Sequence, residues 1–164
     1  MAHPFRDFLF CPKCGSKQFV ENNDKSKKCG DCGFNSSTAV VAVIENDKGE
    51  LLVARRAKDP VKGTLDLPGG FVDMLETAEE AMQREVKEET GLRVNSPRYL
   101  FSIPNIYLYS GFEVHTVDLF FLCQVDDFSG IKAQDDVSEL LFIARNNLDP
   151  ADFGLISIRK GIEK

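Results

Sequence analysis

The sequence predicts an α/β domain with a mixed sheet, preceded by a small cysteine-rich module. Three observations carry that prediction: β-branched and aromatic runs recur after residue 37, one strongly signalled helix lies among them, and four of the five cysteines fall before residue 33. At 164 residues, with 43% hydrophobic and 28% charged content, the chain has the composition of a soluble globular protein able to bury a core. No apolar run approaches the roughly 20 residues that span a bilayer. The start, MAHPFRDFLFCPKC, has neither a secretory n-region nor a small-residue cleavage site, so the expected location is cytoplasmic, with no membrane partner. A net charge of -6 argues against the basic surface usual for nucleic-acid binding. Phosphate-bearing small molecules stay open, because bound cations reverse a local field.

Composition changes at residues 35–37, dividing a module of residues 1–36 from a domain of residues 37–164. In the module the spacing is Cys11-Pro-Lys-Cys14, then Cys29-Gly-Asp-Cys32, and each pair is followed by glycine (Gly15, Gly33). Two such knuckles supply four thiolates, the tetrahedral set of a structural Zn2+ with no position left for water. A redox CxxC stands once beside a βαβ pattern, and two disulfides would suit a secreted protein; neither context fits as well. The expectation is a zinc ribbon, held folded by its metal. Cys123, inside LFFLC, reads as a small core residue.

Further along, residues 38–44 (TAVVAVI) read as a buried strand, residues 46–49 as a turn and residues 51–55 as a second strand closing a hairpin. Pro60, Gly63, Pro68, Gly69 and Gly70 mark a loop interrupted by a short strand at residues 64–67. The helix follows, with Thr77 as N-cap, Glu80 completing a capping box and Gly91 as the stop. Residues 98–103, 106–109, 116–125 and 139–144 read as strands, and a short helix begins near residue 151.

The helix carries the chemistry. With Met82 at zero and about 100° per residue, Ala78, Ala81 and Val86 define the face that packs on the domain. Glu85 and Glu89 fall inside that apolar arc, and Glu88 lies at its edge. Carboxylates aimed at a protein body repel one another and lose solvation unless a counter-charge compensates. A divalent cation is the simplest one, and all-oxygen ligands select Mg2+ first and Mn2+ second.

Residues 70–92 resemble the Nudix box, G-x5-E-x7-R-E-U-x-E-E-x-G-U with U a bulky aliphatic. Gly70, Glu76, Arg84, Glu85, Val86, Glu88, Glu89, Gly91 and Leu92 fill its nine specified positions. The preceding GTLDLPGG is similar to the family's approach to the box, with Leu65 where Trp is frequent. At fold level the resemblance covers residues 38–164. It implies an α/β/α sandwich with the box as loop–helix–loop, and Mg2+-dependent hydrolysis of a phosphoanhydride bond. It also implies Mg2+ ligation by Glu85, Glu88, Glu89 and the Gly70 carbonyl. Arg84 would orient a glutamate through an ion pair, and Glu76 would support the loop electrostatically. The general base would be Glu88 or Glu89, with Glu139 a downstream candidate that reads equally as an exposed residue opening a strand.

Zinc knuckles joined to this box resemble the NADH pyrophosphatase group and related flavin-nucleotide or ADP-ribose hydrolases. The SQPWPFP-like segment of the NADH-specific members is replaced here by FSIPNIYLYSG, and the chain has no Trp. Tyr107 lies 16 positions past Gly91, as in dinucleoside polyphosphate hydrolases, where a Tyr stacks on a base; it is equally one face of a strand. Arg55 and Arg56 are candidates to hold diphosphate oxygens, Arg55 foremost, although a surface role explains either. The expected substrate is a nucleoside diphosphate linked to another moiety, NADH-, ADP-ribose- or FAD-like. Alternatives are a nucleoside triphosphate or dinucleoside polyphosphate pyrophosphohydrolase and, outside enzymes, a ligand-sensing Nudix domain. Sensors carry a degraded box and an added DNA-binding domain, whereas this box is intact. A homodimer is compatible with all of these.

Overall fold

The computed structural model describes residues 8–21, 27–73, 75–109 and 112–164. Of the predicted ribbon, residues 1–7 and 22–26 lie outside the described residues, as do Met74 of the box and Ser110 and Gly111.

The cysteine module forms a two-stranded antiparallel sheet of β1 (Phe19–Glu21) and β2 (Lys27–Cys29). Beyond it, seven strands divide into two sheets. The larger has the order β6 (Gly69–Phe71), β3 (Ser36–Ile44), β8 (Phe112–Gln124), β7 (Asn95–Tyr109). It is mixed, because β3 runs parallel to β8 over nine Cα pairs while its other pairings are antiparallel. The smaller sheet has β4 (Glu50–Arg56) between β5 (Leu65–Asp66) and β9 (Val137–Ala144), all antiparallel.

Three strand expectations change. The hairpin predicted at residues 38–55 does not persist: β3 and β4 share only an isolated bridge at Glu45 and Leu51 before diverging onto different sheets. The strands predicted at residues 98–103 and 106–109 are one strand, β7, which runs straight through Pro104. β7 is an edge strand, where a missing N–H breaks no ladder. Gly69 and Gly70, read as loop, belong to β6, antiparallel to β3.

Helix α1 (Ala78–Thr90) has both halves of the predicted capping box, with Glu80 N–H donating to Thr77 Oγ1 (3.2 Å) and Thr77 N–H donating to Glu80 Oε2 (2.8 Å). At its end the Gly91 N–H donates to the Lys87 carbonyl (3.0 Å). Ala81, Met82 and Val86 are fully buried against Val40, Ala42 and Ile44 of β3 and Phe121 of β8. Burial of Met82 and Val86 contributes about 1.5–3 kcal/mol each, which fixes the rotation of the helix. Helix α2 (Ile156–Ile162) covers the opposite face, where Ile158 meets Val41, Phe120 and Phe153. It is preceded by a 3-10 turn, Pro150–Asp152, so the terminal helix starts later than residue 151. The result is an α/β/α sandwich in which β3 is apolar on both faces because both are covered. Among the described residues, no helix is long and apolar enough to cross a membrane.

Candidate active site and metal centre

Where the two sheets part, a cleft of ≈ 310 Å³ opens between β3, the β5–β6 segment, α1 and the facing strands. Helix α1 presents Glu85 and Glu89 to it. They are 3% and 8% exposed, as the rotation set by Met82 and Val86 requires. Glu89 Oε2 accepts the Gly69 N–H (3.0 Å). The Glu85 carboxyl lies so close to Gly70 that a Cβ there would sit 2.5 Å from its carbon and one oxygen. Only glycine permits that approach.

Arg84 organises the acids. Its Nε and Nη2 donate to the two Glu76 oxygens (2.8 and 2.9 Å), and Nη2 also donates to the Phe71 carbonyl (3.0 Å). Nη1 donates to Glu85 Oε1 (2.7 Å) and Glu88 Oε2 (3.2 Å). Glu76 Oε2 in turn accepts the Asp73 N–H (2.9 Å), tying the loop before α1 to the helix. The Arg84 hydrogen bond holds the Glu76 carboxyl below its ordinary range. Glu88 is exposed and touches no other group in this network.

Burial pushes Glu85 up to about 7, against the opposing pull of Arg84. Glu89 is driven well above the usual carboxylate range, first by burial and then by the charges of Glu85, Asp66 and Asp136, with the Gly69 N–H only partly opposing. Two buried acids that the protein itself leaves short of positive charge, beside the half-buried backbone at Gly69–Gly70, fit a hard divalent cation. Their oxygens are not drawn together, because Arg84 pulls Glu85 and Glu88 one way while Gly69 holds Glu89.

The four cysteines are gathered: their Sγ atoms all lie within 4.8 Å of one another. The Cys11–Cys32 and Cys14–Cys29 sulfur pairs are each 3.6 Å apart, and all five cysteines are free. A tetrahedron with Zn–S near 2.3 Å has edges of about 3.8 Å, so the set could hold zinc. The two knuckles repeat one design. The Gly15 and Gly33 N–H groups donate to Cys11 and Cys29 carbonyls (2.8 and 3.0 Å), with φ of 73° and 69°. At φ values like these, a side chain would be strained.

Of the residues singled out for substrate, Tyr107 lines the cleft and Arg55 and Glu139 do not. Arg55 Nε donates to Glu139 Oε2 (2.8 Å) and Nη1 to the Gly63 carbonyl (2.9 Å), an exposed pairing across β4 and β9. Arg56, its neighbour, faces the cleft: Nη1 donates to Asp66 Oδ2 (2.6 Å) and Nη2 to Tyr107 Oη (3.0 Å). Burial works against the Arg56 charge, but Asp66 and Tyr107 together more than offset it, so the guanidinium is held above its ordinary range. A register shift in the β4–β9 ladder falls between these two arginines. Sequence reasoning also missed Asp66, Asp135, Asp136, Asn105, Thr116 and Asp118, all of which line the cleft. For Asn105, Thr116 and Asp118 the available signal was polar residues at inward positions of apolar strands, whereas Asp135 and Asp136 lie in the loop before β9 and gave no such signal.

A family model described as NUDIX domain matches residues 36–158. The chain belongs to the Nudix family. It is 36% identical over 141 residues to an ADP-ribose pyrophosphatase from Methanocaldococcus jannaschii, covering 84% of this chain and 78% of that protein. It is 32% identical over 107 residues to the NAD-capped RNA hydrolase NudC of Vibrio atlanticus, covering 63% of this chain but only 39% of that relative. In solved structures, the MutT NUDIX hydrolase from Burkholderia pseudomallei superposes with a TM-score of 0.68 at 26% identity, over 79% of this chain and 98% of the other.

Proposed function

We propose that this Nudix pyrophosphohydrolase cleaves the diphosphate bond of a nucleoside diphosphate linked to a second group, ADP-ribose first and NADH or FAD next, with Mg2+ (or Mn2+) as cofactor. The observation that carries the reading is the pair of buried acids, Glu85 and Glu89, set against the Gly69–Gly70 backbone at the wall of a cleft large enough for a nucleotide. The 36% identical relative named ADP-ribose pyrophosphatase supports the order of substrates.

Glu85, Glu89 and the Gly70 carbonyl would hold the cation, with Glu88 swinging in from its exposed position. When bound, the cation offsets charge on the phosphoryl oxygens and lowers the pKa of a coordinated water. The protein's own residues do the rest. Arg84 fixes the Glu85 carboxylate while Glu76 fixes Arg84. Arg56 presents a positive charge across the cleft from α1, where diphosphate oxygens need one. A glutamate of α1, Glu88 or Glu89, would take the proton of the attacking water. Cys11, Cys14, Cys29 and Cys32 would hold Zn2+ in residues 1–36, a unit distinct from residues 37–164, and four cysteines free of disulfides fit a reducing cytoplasm.

Purified protein incubated with Mg2+ and ADP-ribose, NADH, FAD, diadenosine polyphosphates and nucleoside triphosphates should convert ADP-ribose to AMP and a ribose phosphate, identified by mass. Folded, metal-loaded protein that turns over none of them would remove the enzymatic reading. Preferential cleavage of triphosphates would shift it to a nucleoside triphosphate pyrophosphohydrolase.

A further inference from the structure

At the side of the cleft away from α1, strands β7 and β8 carry a buried polar group that the metal chemistry does not use. Asn105 stands opposite Thr116 in the ladder, and Asp118 follows two residues on, so all three share one face. All are buried, Asn105 being 5% exposed, and all line the same cleft as Glu85 and Glu89. Both hydroxyl protons of the group are directed at Asp118. Thr116 Oγ1 donates to its Oδ1 (2.5 Å), Ser157 Oγ of α2 donates to its Oδ2 (2.5 Å), and the Asn105 side chain also hydrogen-bonds to it. What remains unpaired is an acceptor: Asn105 Oδ1 is buried with no hydrogen-bond partner.

A buried acceptor without a donor costs stability, and apolar side chains at these positions would spare that cost while continuing the neighbouring core of Ile103, Phe120 and Ile158. The arrangement is therefore suited to a group that enters the cleft, and it favours a donor. An incoming donor finds the unpartnered Asn105 oxygen and the remaining lone pairs of Asp118, whereas the Thr116 and Ser157 hydroxyl protons that an incoming acceptor would need are already committed to Asp118.

We propose that Asn105, Thr116 and Asp118 form an acceptor wall that reads a hydrogen-bond donor on the nucleoside end of the substrate, either the exocyclic amine of adenine or the ribose hydroxyls. The assignment rests on the nucleotide reading above and adds to it a chemical selectivity. Tyr107, on the same face of β7 and held by Arg56, places an aromatic ring beside the wall, in edge contact with Phe71 (5.9 Å between centroids).

The test is equilibrium binding by titration calorimetry, using the full chain with Mg2+ and three monophosphates that a pyrophosphohydrolase does not consume: AMP, IMP and 2′-deoxy-AMP. If the amine is read, IMP should bind at least about tenfold more weakly than AMP; if the ribose is read, 2′-deoxy-AMP should. In Asn105→Leu the ratio should fall toward one. Equal affinities for the three ligands, no AMP binding, or an unchanged ratio in Asn105→Leu would each overturn the wall. The wild-type series decides alone should the variant fail to fold. Turnover of ADP-ribose with equal affinities would sink the wall and leave the hydrolase reading standing. Discriminating affinities without turnover would do the reverse.

Discussion

Gly70→Ala separates the fold of this protein from its chemistry. Gly70 is not in the left-handed region, so its backbone accepts alanine without strain. The added methyl would lie 2.5 Å from the Glu85 carboxyl carbon and Oε1 and 2.7 Å from Oε2, where ordinary contact begins at 3.4 Å. The carboxylate must therefore retreat by about 1 Å. It is the far end of a flexible side chain, so this retreat is cheap for the fold. Lower chain entropy in the unfolded state offsets part of the cost, by about 0.4–1 kcal/mol.

The chemistry is less forgiving. Glu85 is held on one side by Arg84 Nη1 at 2.7 Å, so a shift of that size either lengthens the ion pair or swings the oxygens away from Glu89 and the Gly69–Gly70 backbone. Misplacement of a catalytic group by 1 Å costs on the order of 100-fold in rate. The expected outcome is a melting temperature within a few degrees of wild type together with a fall of about 100-fold in kcat/KM for ADP-ribose at saturating Mg2+. An alanine variant within about threefold of wild-type activity would refute the assignment of Glu85 to the metal. A collapse in stability would instead show the contact to be rigid.

Three further outcomes follow from the same geometry. Because burial raises the folded-state pKa of Glu85 from 4.5 to about 7, its contribution to stability is present below pH 4.5 and is lost as pH rises through 7. Melting of metal-free protein should show that decline, by up to about 3 kcal/mol, and Glu85→Gln should flatten it; an equally steep profile in the variant would exclude Glu85 as the source. Arg84→Lys keeps the charge but cannot pair both Glu76 oxygens while reaching Glu85 and Phe71, and activity should drop about 10–100-fold. Normal kinetics would show that the network is dispensable. Elemental analysis should find about one zinc per chain, and Cys29→Ser should release it while circular dichroism reports the α/β domain intact; zinc-free protein with an ordered ribbon would contradict the ligand set.

Helix α1 was legible in the sequence because two constraints on it are local. A capping box and a terminal glycine fix its ends, and Met82 and Val86 fix its rotation, which by itself puts Glu85 and Glu89 indoors. The ribbon was legible for the same reason, since each knuckle closes within six residues. The partition of β3 and β4 into separate sheets was not, because a turn and two apolar runs specify a hairpin equally well. Glu139 drew notice as the acid of a strand, yet Asp135 and Asp136 in the loop before β9 are the ones that reach the cleft.

The two arginines show most clearly where local reading stops. Strand alternation says that Arg55 and Arg56 point to opposite faces, so one must face the cleft, but it does not say which. The irregularity in the β4–β9 ladder falls between them, and only tertiary pairing determines it. The polar wall was nearer to hand. β8 runs Thr116, Val117, Asp118, Leu119, Phe120, Phe121, and a strand apolar at both Phe120 and Phe121 is covered on both faces. Thr116 and Asp118 share the face of Phe120, so alternation alone buries a threonine and an aspartate in a row. Buried carboxylates need partners, and these strands do not supply enough of them in sequence. The deficit is met by Ser157, 39 residues further on, and it leaves Asn105 Oδ1 unmatched. A ligand donor would complete the set across the cleft, as a cation would complete the buried acids Glu85 and Glu89 on α1.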